Sequence, residues 1–408
     1  MTATLVRIGT LLLAVAILLA GHGLQLTLLP MHAQALGWST GSIGVTASAY
    51  FLGFVVGCLT VPALVARVGH IRLFMVMAAV ATLALLGAGL VGQFGAWLVL
   101  RFATGYAFSG LYMVIESWLS EVADSASRGS VLAVYSVISL LAMVAGQAFL
   151  GLAEVGTLEL FVLGAVLLCL AIIPVGLTRI AAPHPLPSLR FHPRALLEAS
   201  RVALVCAFLG GLITGSVWAV GPLVGRQFGL DGADIGLLMS TAILGGALAQ
   251  FPTGRYSDRT DRRRVIAALA VTGALVATAA WFTVDGSGLM LHTAMFLVGA
   301  CSMPVYALCI ATASDNATAP LIQIAGSVLI MNSLGSIVGP LVVAPLMAWQ
   351  GGAAFFLYVA VCFALAAVWT LLRMLTVDRP TVHEQPFEPL PRTTPVVVEL
   401  SQESTTGE

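Results

Sequence analysis

"GRYSDRTDRRR", residues 254–264, places five of the chain's 18 basic side chains in one short stretch, although charged residues amount to only 9% of the sequence. Long apolar runs flank it on both sides. Composition explains those runs: 59% hydrophobic residues and a mean hydropathy of +1.01 exceed what the core of a soluble protein of 408 residues requires. Stretches of about 20 apolar residues recur, and at about 1.5 Å per residue each crosses a hydrocarbon core of about 30 Å. Barrel strands would give short alternating segments instead, so the expected class is an all-α membrane protein.

Six spans are predicted near 8–30, 42–64, 72–92, 96–118, 130–152 and 158–178, and six more near 202–224, 234–256, 265–285, 289–312, 322–347 and 352–375. Arg7 precedes "LLLAVAILLAG" as in a signal peptide, but no small-residue cleavage site follows, and the stretch is read as span 1. The chain therefore divides into a six-helix bundle at 1–178, a cytoplasmic linker at 179–201, a second bundle at 202–375 and a disordered cytoplasmic tail at 376–408. Lysine is absent. With the N-terminus inside, sixteen of the 18 arginines fall on the cytoplasmic side, Arg226 sits in an outer loop and Arg101 lies within a span. That asymmetry sets the orientation, with both termini cytoplasmic, and makes the opening stretch at least a topology anchor between spans 8 and 9.

The two halves repeat each other. "LPMHAQALGWSTGSIG" (29–44) and "GPLVGRQFGLDGADIG" (221–236) superpose at a shift of 192, pairing Pro30 with Pro222, Gly37 with Gly229 and Gly44 with Gly236. The same shift pairs Ser48 with Ser240 and Gly53 with Gly245, then sets "PALVARVGHIR" (62–72) against the opening stretch, matching Arg67 to Arg259 and Arg72 to Arg264. Gly105 and Tyr112 match Gly299 and Tyr306 at a shift of 194. Agreement at nearly one shift over several segments indicates homologous six-span bundles in the same orientation.

Two such halves, with a basic turn after the second span of each, resemble the major facilitator superfamily over roughly residues 1–375. "GLYMVIESWLSEVADSASRGSVLAVYSV" (110–137), "ARVGHIRLF" (66–74) and "GRYSDRTDRRR" resemble its poorly characterised YcaD-like branch. The resemblance implies a transporter of a bacterial inner membrane. It also implies an Asp-Arg-x-Gly-Arg-Arg latch at each basic turn, filled in the second half by Asp258, Arg259, Arg262 and Arg263, with Asp261 in the glycine place. The first half departs from this: Ala66 replaces the aspartate and leaves Arg67, Gly69 and Arg72, with Glu116, Glu121 and Asp124 as candidate partners. Guanidinium groups at such a turn can pair with carboxylates and helix carbonyl ends while the cytoplasmic side is shut.

Ionisable residues inside spans are costly and point to function. Arg101, in "RFATG", fits the superfamily's span-4 pattern, and the alternative is a snorkelling residue at the outer interface. Arg101, Gly105, Tyr112 and Glu116 fall within about 60° of one another on a helix. Glu116 is either a proton carrier or a structural partner of Arg67 or Arg72. His22 and Gln25 mark a polar face on span 1. Tyr135, Ser136, Ser139, Trp218, Tyr306, Asn332, Ser333 and Ser336 are candidates for a central cavity, or else helix-packing donors. "GSIVGP" (335–340) provides close approach and a bend in span 11, while the drug-antiporter Gly-Pro element is missing from 130–152.

Several classes drop out. No nucleophile-base-carboxylate set, phosphate loop or metal-ligand spacing is present, and the six cysteines lie singly in apolar spans, so neither an enzyme nor a cofactor or metal is expected. Zero net charge argues against nucleic acid. The leading reading is a monomeric secondary transporter in a lipid bilayer that moves a small polar or amphipathic organic solute by alternating access, with protons as coupling ion. The alternative is a non-transporting membrane receptor or assembly factor on the same fold.

Overall fold

The computed structural model describes residues 2–122, 128–177, 192–284, 288–315, 317, 319–376 and 394. Asp124, most of the 179–201 connection and nearly all of the 376–408 tail lie outside them. Among the described residues, twelve helices are long and apolar enough to cross a membrane. In the first half these are α1 (Thr2–Ala35), α2 (Thr40–Val68), α3 (His70–Leu90), α4 (Phe94–Val122), α5 (Arg128–Ala148) and a sixth span built from α6 (Glu159–Leu170) and α7 (Ile172–Gly176). The sixth span breaks because Pro174 has no N–H to return to Leu170, where α6 ends. A short helix, α8 (Pro193–Ala199), lies within the connection. The second half supplies α9 (Arg201–Gln227), α10 (Gly232–Ser257), α11 (Arg262–Thr283), α12 (Gly288–Ser314), α13 (Leu321–Gln350) and α14 (Ala354–Thr376).

The internal repeat is visible in how helices cross. Lipid tails are as apolar as leucine, so helices associate in a bilayer through close packing at small residues. A Cβ added to Gly53 would overlap the Phe102 carbonyl oxygen, and one added to Gly105 would overlap that of Tyr50, so α2 and α4 meet backbone to backbone. Their repeat partners behave alike. A Cβ on Gly245 would overlap the Phe296 oxygen and one on Gly299 the Ala242 oxygen, at the crossing of α10 and α12. A second crossing joins α1 to α5 through Gly23 and Gly146, and α9 to α13 through Gly211, Gly215, Gly335 and Gly339. The repeat extends to the turns: Gly37 after α1 and Gly229 after α9 adopt φ of 81° and 83°, a left-handed conformation that side-chain-bearing residues avoid.

Two compact units divide the chain, one of Met1–His32, Ala49–Arg190 and Leu390–Glu408, the other of Ala33–Ser48 and Phe191–Pro389. Unit boundaries thus differ from the sequence halves at Ala33–Ser48, which belongs with the second unit. Within that unit the first turns of α2 lie against α13: Ser48 Oγ donates to the Ile337 carbonyl at 2.6 Å, and a Cβ on Gly44 would meet the Pro340 oxygen at 2.7 Å.

Candidate functional site

In the first unit a connected polar cluster forms where α1, α2 and α4 meet. Arg101, the eighth residue of α4, is 6% exposed, and its guanidinium carbon stands 4.8 Å from the centroid of the Tyr50 ring. The Gly105 crossing makes this contact possible, because only the missing side chain there lets the α2 backbone at Tyr50 approach α4. The Tyr50 hydroxyl lies 3.5 Å from His22 Nε2, and His22 Nδ1 lies 2.9 Å from Gln25 Nε2. A neutral imidazole donates at one nitrogen and accepts at the other, so Gln25 and Tyr50 take one role each. Phe108 packs on His22 with ring centroids 3.9 Å apart, and Tyr112 meets His22 edge-on at 6.1 Å. Among the described residues, two buried polar atoms of this cluster, Arg101 Nη1 and Gln25 Oε1, make no hydrogen bond.

One helical turn beyond Tyr112, Glu116 is fully buried. It accepts from the Tyr135 hydroxyl at 3.1 Å and from the hydroxyl of Thr394, itself buried. A residue of the C-terminal tail thus reaches the acidic side chain of α4, an arrangement that polar composition does not foreshadow.

The second-unit candidates serve packing to a large extent. Asn332 Nδ2 donates to the Ala207 carbonyl at 3.0 Å and Ser336 Oγ to that of Gly211 at 3.2 Å, so both bind α13 to α9. Tyr306 and Ser333 are buried, and Trp218 is half-buried. In the first unit, Ser136 and Ser139 on α5 each carry a buried hydroxyl without a hydrogen-bond partner among the described residues.

At the basic turn, Arg262 opens α11 and is 1% exposed. Its Nε lies 3.0 Å from Asp315 just past the end of α12, and its Nη2 lies 3.5 Å from Asp258. Asp261 caps α11 by accepting from the Arg263 backbone N–H, and it pairs with the Arg263 guanidinium at 2.9 Å. Arg259 is exposed. In the first half, Gly69 stands at the Asp261 place with φ of 82°, and His70 stands at the Arg262 place, buried, its Nε2 3.2 Å from the Ser117 hydroxyl. The second half thus holds this position with a permanent cation and two carboxylates, and the first with an imidazole.

Burial pushes the Asp261 carboxyl up, but the hydrogen bonds and charge of Arg263, with the charge of Arg264, outweigh it and hold the group below its ordinary value. A depressed value means that the stabilisation is complete above the ordinary value and disappears as pH falls below about 4. Asp261→Asn is therefore expected to lower the melting temperature at pH 7 and to flatten its decline on acidification. Parallel acid limbs in the two proteins would show that Asp261 contributes nothing.

The family profile described as Major Facilitator Superfamily matches residues 11–202 and 203–402. The chain belongs to the major facilitator superfamily. It is 26% identical over 364 residues to an uncharacterized MFS-type transporter of Yersinia pestis (strain Pestoides F), covering 88% of this chain and 92% of that one. It is 28% identical over 349 residues to the uncharacterized MFS-type transporter YcaD of Escherichia coli O7:K1, covering 83% and 87%. Among solved structures it resembles the nucleoside transporter NupG, with a TM-score of 0.73 at 14% identity, covering 90% and 99%. A D-xylose-proton symporter aligns with a TM-score of 0.68 at 11% identity, covering 92% and 99%. At those identities the likeness shows the fold. The chain is thus a multi-pass membrane transporter of this superfamily, not an enzyme.

In this transporter, the structure joins His22, Gln25, Arg101 and Tyr112 in one cluster, and Glu116 with Tyr135 in another. Sequence reasoning missed Tyr50 and Phe108, which complete the first cluster, and Asp315 as the partner of Arg262. It also missed Gln147, fully buried on α5 with neither amide atom hydrogen-bonded among the described residues. Departure from the repeat was the available signal: Tyr50 pairs with Ala242 and Phe108 with Ser302, aromatic against small.

Proposed function

We propose that this chain is a secondary transporter that moves a small organic solute by alternating access, with the Arg101 cluster contacting the solute and Glu116 carrying the coupling proton. One observation carries the reading. Two bundles with the same glycine crossings differ in that the first holds Arg101 and Glu116 inside its spans, where ionisable side chains are costly unless used. Relatives named as transporters over most of the chain support it. The arginine asymmetry supports an inner-membrane orientation with both termini cytoplasmic, the Arg262 ion pairs lying on that side as the latch. The protein is proposed to act as a monomer.

A carboxyl shielded by Tyr135 can load a proton when water reaches it from one side and release it to the other. In proteoliposomes carrying an internal pH-sensitive dye, wild type is expected to acidify or alkalinise the lumen only when a transported solute is added. Glu116→Gln is expected to abolish solute-linked proton movement and gradient-driven accumulation while solute exchange continues. Gradient-driven accumulation at the wild-type level would exclude Glu116 from coupling, and a wild-type protein that moves no solute would favour a receptor.

A further inference from the structure

We infer that the cluster around Arg101 is a carboxylate site and that the solute is a small aromatic monocarboxylate bearing a hydrogen-bond donor. The inference rests on the transport reading above and narrows the solute class.

Charge is the first ground. Arg101 is buried about 10 Å inside α4 at about 1.5 Å per residue. Among the described residues it has no ion pair or hydrogen bond; its contact is the Tyr50 ring face. A guanidinium taken out of water without a counter-charge is strongly unfavourable, and a single aromatic face offsets only part of that. An anion is the missing partner, and a carboxylate suits the planar fork of donors. The second ground is the other orphan. Among the described residues, Gln25 Oε1 is a buried acceptor without a donor, so the ligand that neutralises Arg101 also supplies an O–H or N–H. Third, the two orphans sit beside aromatic rings, Arg101 against Tyr50 and Gln25 beside His22, and His22 in turn meets Tyr50, Phe108 and Tyr112, a setting that favours a flat aromatic body.

The repeat removes the structural explanation. In the second half the α10–α12 crossing is built in the same way, yet Ala242 stands at the Tyr50 position, Met295 at Arg101, Ser302 at Phe108, Thr214 at His22 and Val217 at Gln25. Helix crossing therefore needs none of these groups. An interface anchor is also disfavoured, because a snorkelling arginine would expose its charged end, whereas this one is 6% exposed.

The test measures binding to purified full-length protein in lipid nanodiscs by calorimetry and thermal shift, with 4-hydroxybenzoate, benzoate and the uncharged 4-hydroxybenzamide as probes. 4-Hydroxybenzoate is expected to bind more tightly than benzoate, and the amide not measurably. Arg101→Gln is expected to weaken acid binding by about 100-fold and Arg101→Lys by about tenfold. Gln25→Leu keeps the charge and is expected to equalise the two acids. Because the charge is unpaired without ligand, ligand-free Arg101→Gln is expected to melt no lower than wild type, which an anchor residue would not do. The proposal is overturned if neither acid binds wild type, if the amide binds as well as the acids, or if acid affinity in Arg101→Gln stays within about threefold of wild type. Counterflow in proteoliposomes separates this from the transport reading. Acid binding without acid exchange would overturn transport and leave the site, whereas exchange of neutral or cationic solutes alone would do the reverse.

Discussion

Arg262→Gln is expected to be among the most damaging single substitutions outside the helix crossings, lowering stability by about 3–5 kcal/mol. The side chain is 1% exposed and binds Asp315 at 3.0 Å and Asp258 at 3.5 Å, and the Asp315 side chain is itself 2% exposed. Removing the guanidinium leaves the buried Asp315 carboxylate, with the part-exposed Asp258 nearby, facing an uncharged amide, and the cost is mainly that of the uncompensated Asp315 charge rather than of a lost bond. Two companions test this account. The double variant Arg262→Gln with Asp315→Asn removes both charges and is expected to recover much of the loss. Arg259→Gln, an exposed neighbour in the same turn, is expected to change stability by no more than about 0.5 kcal/mol. Melting curves in detergent, followed by tryptophan fluorescence, give the comparison. If Arg262→Gln and Arg259→Gln melt together, the ion pairs do not hold α11 to α12. His70→Gln, at the corresponding place in the first half, is expected to cost less, because an imidazole bonded to a hydroxyl stands where the charged network stands in the second half.

The sequence carries the spans because hydropathy over about 20 residues is a one-dimensional signal, and twelve were legible with ends displaced by a few residues. The repeat was legible for a related reason. Glycines at helix crossings tolerate no substitution, so Gly53, Gly105, Gly245 and Gly299 keep their spacing while the surrounding apolar residues drift. Contacts between helices were less accessible. Asp315 is far from Arg262 along the chain, and nothing in either segment states that the end of α12 lies over the start of α11. Tyr50 and Phe108 read as ordinary apolar-face residues until helix rotations place both against His22. Asn332 and Ser336 were legible as polar positions with cavity lining and helix packing as the alternatives, but the choice between them was not, because a side chain facing a cavity and one facing a neighbouring backbone look alike in sequence. Thr394 belongs to a polar, proline-containing tail whose composition gave no reason to seek it beside Glu116.

The second large effect is expected at the crossings themselves, where the repeat also separates scaffold from site. Gly105→Ala would drive a methyl group into the Tyr50 carbonyl oxygen and Gly299→Ala into that of Ala242, and in both cases the obstacle is backbone, which cannot swing aside as a side chain does. Each substitution is expected to part its helix pair at a cost of about 3 kcal/mol or more and to reduce the yield of monodisperse protein severely. Gly95→Ala, on the same helix as Gly105 with nothing within 4 Å of the added Cβ, is the control and is expected to behave as wild type. Wild-type melting of both Gly105→Ala and Gly299→Ala would mean that these crossings are looser than they stand here. The two variants should differ in one respect. Parting α2 from α4 carries Tyr50 away from Arg101, so any Gly105→Ala protein that survives purification is expected to lose acid binding as well as stability. Parting α10 from α12 disturbs Ala242 and Met295 in the other unit, so surviving Gly299→Ala protein is expected to keep its acid affinity. Equal loss of affinity in both would trace the defect to general misfolding, whereas a loss confined to Gly105→Ala would show that one duplicated crossing has become the support of a binding site while its copy has remained scaffold.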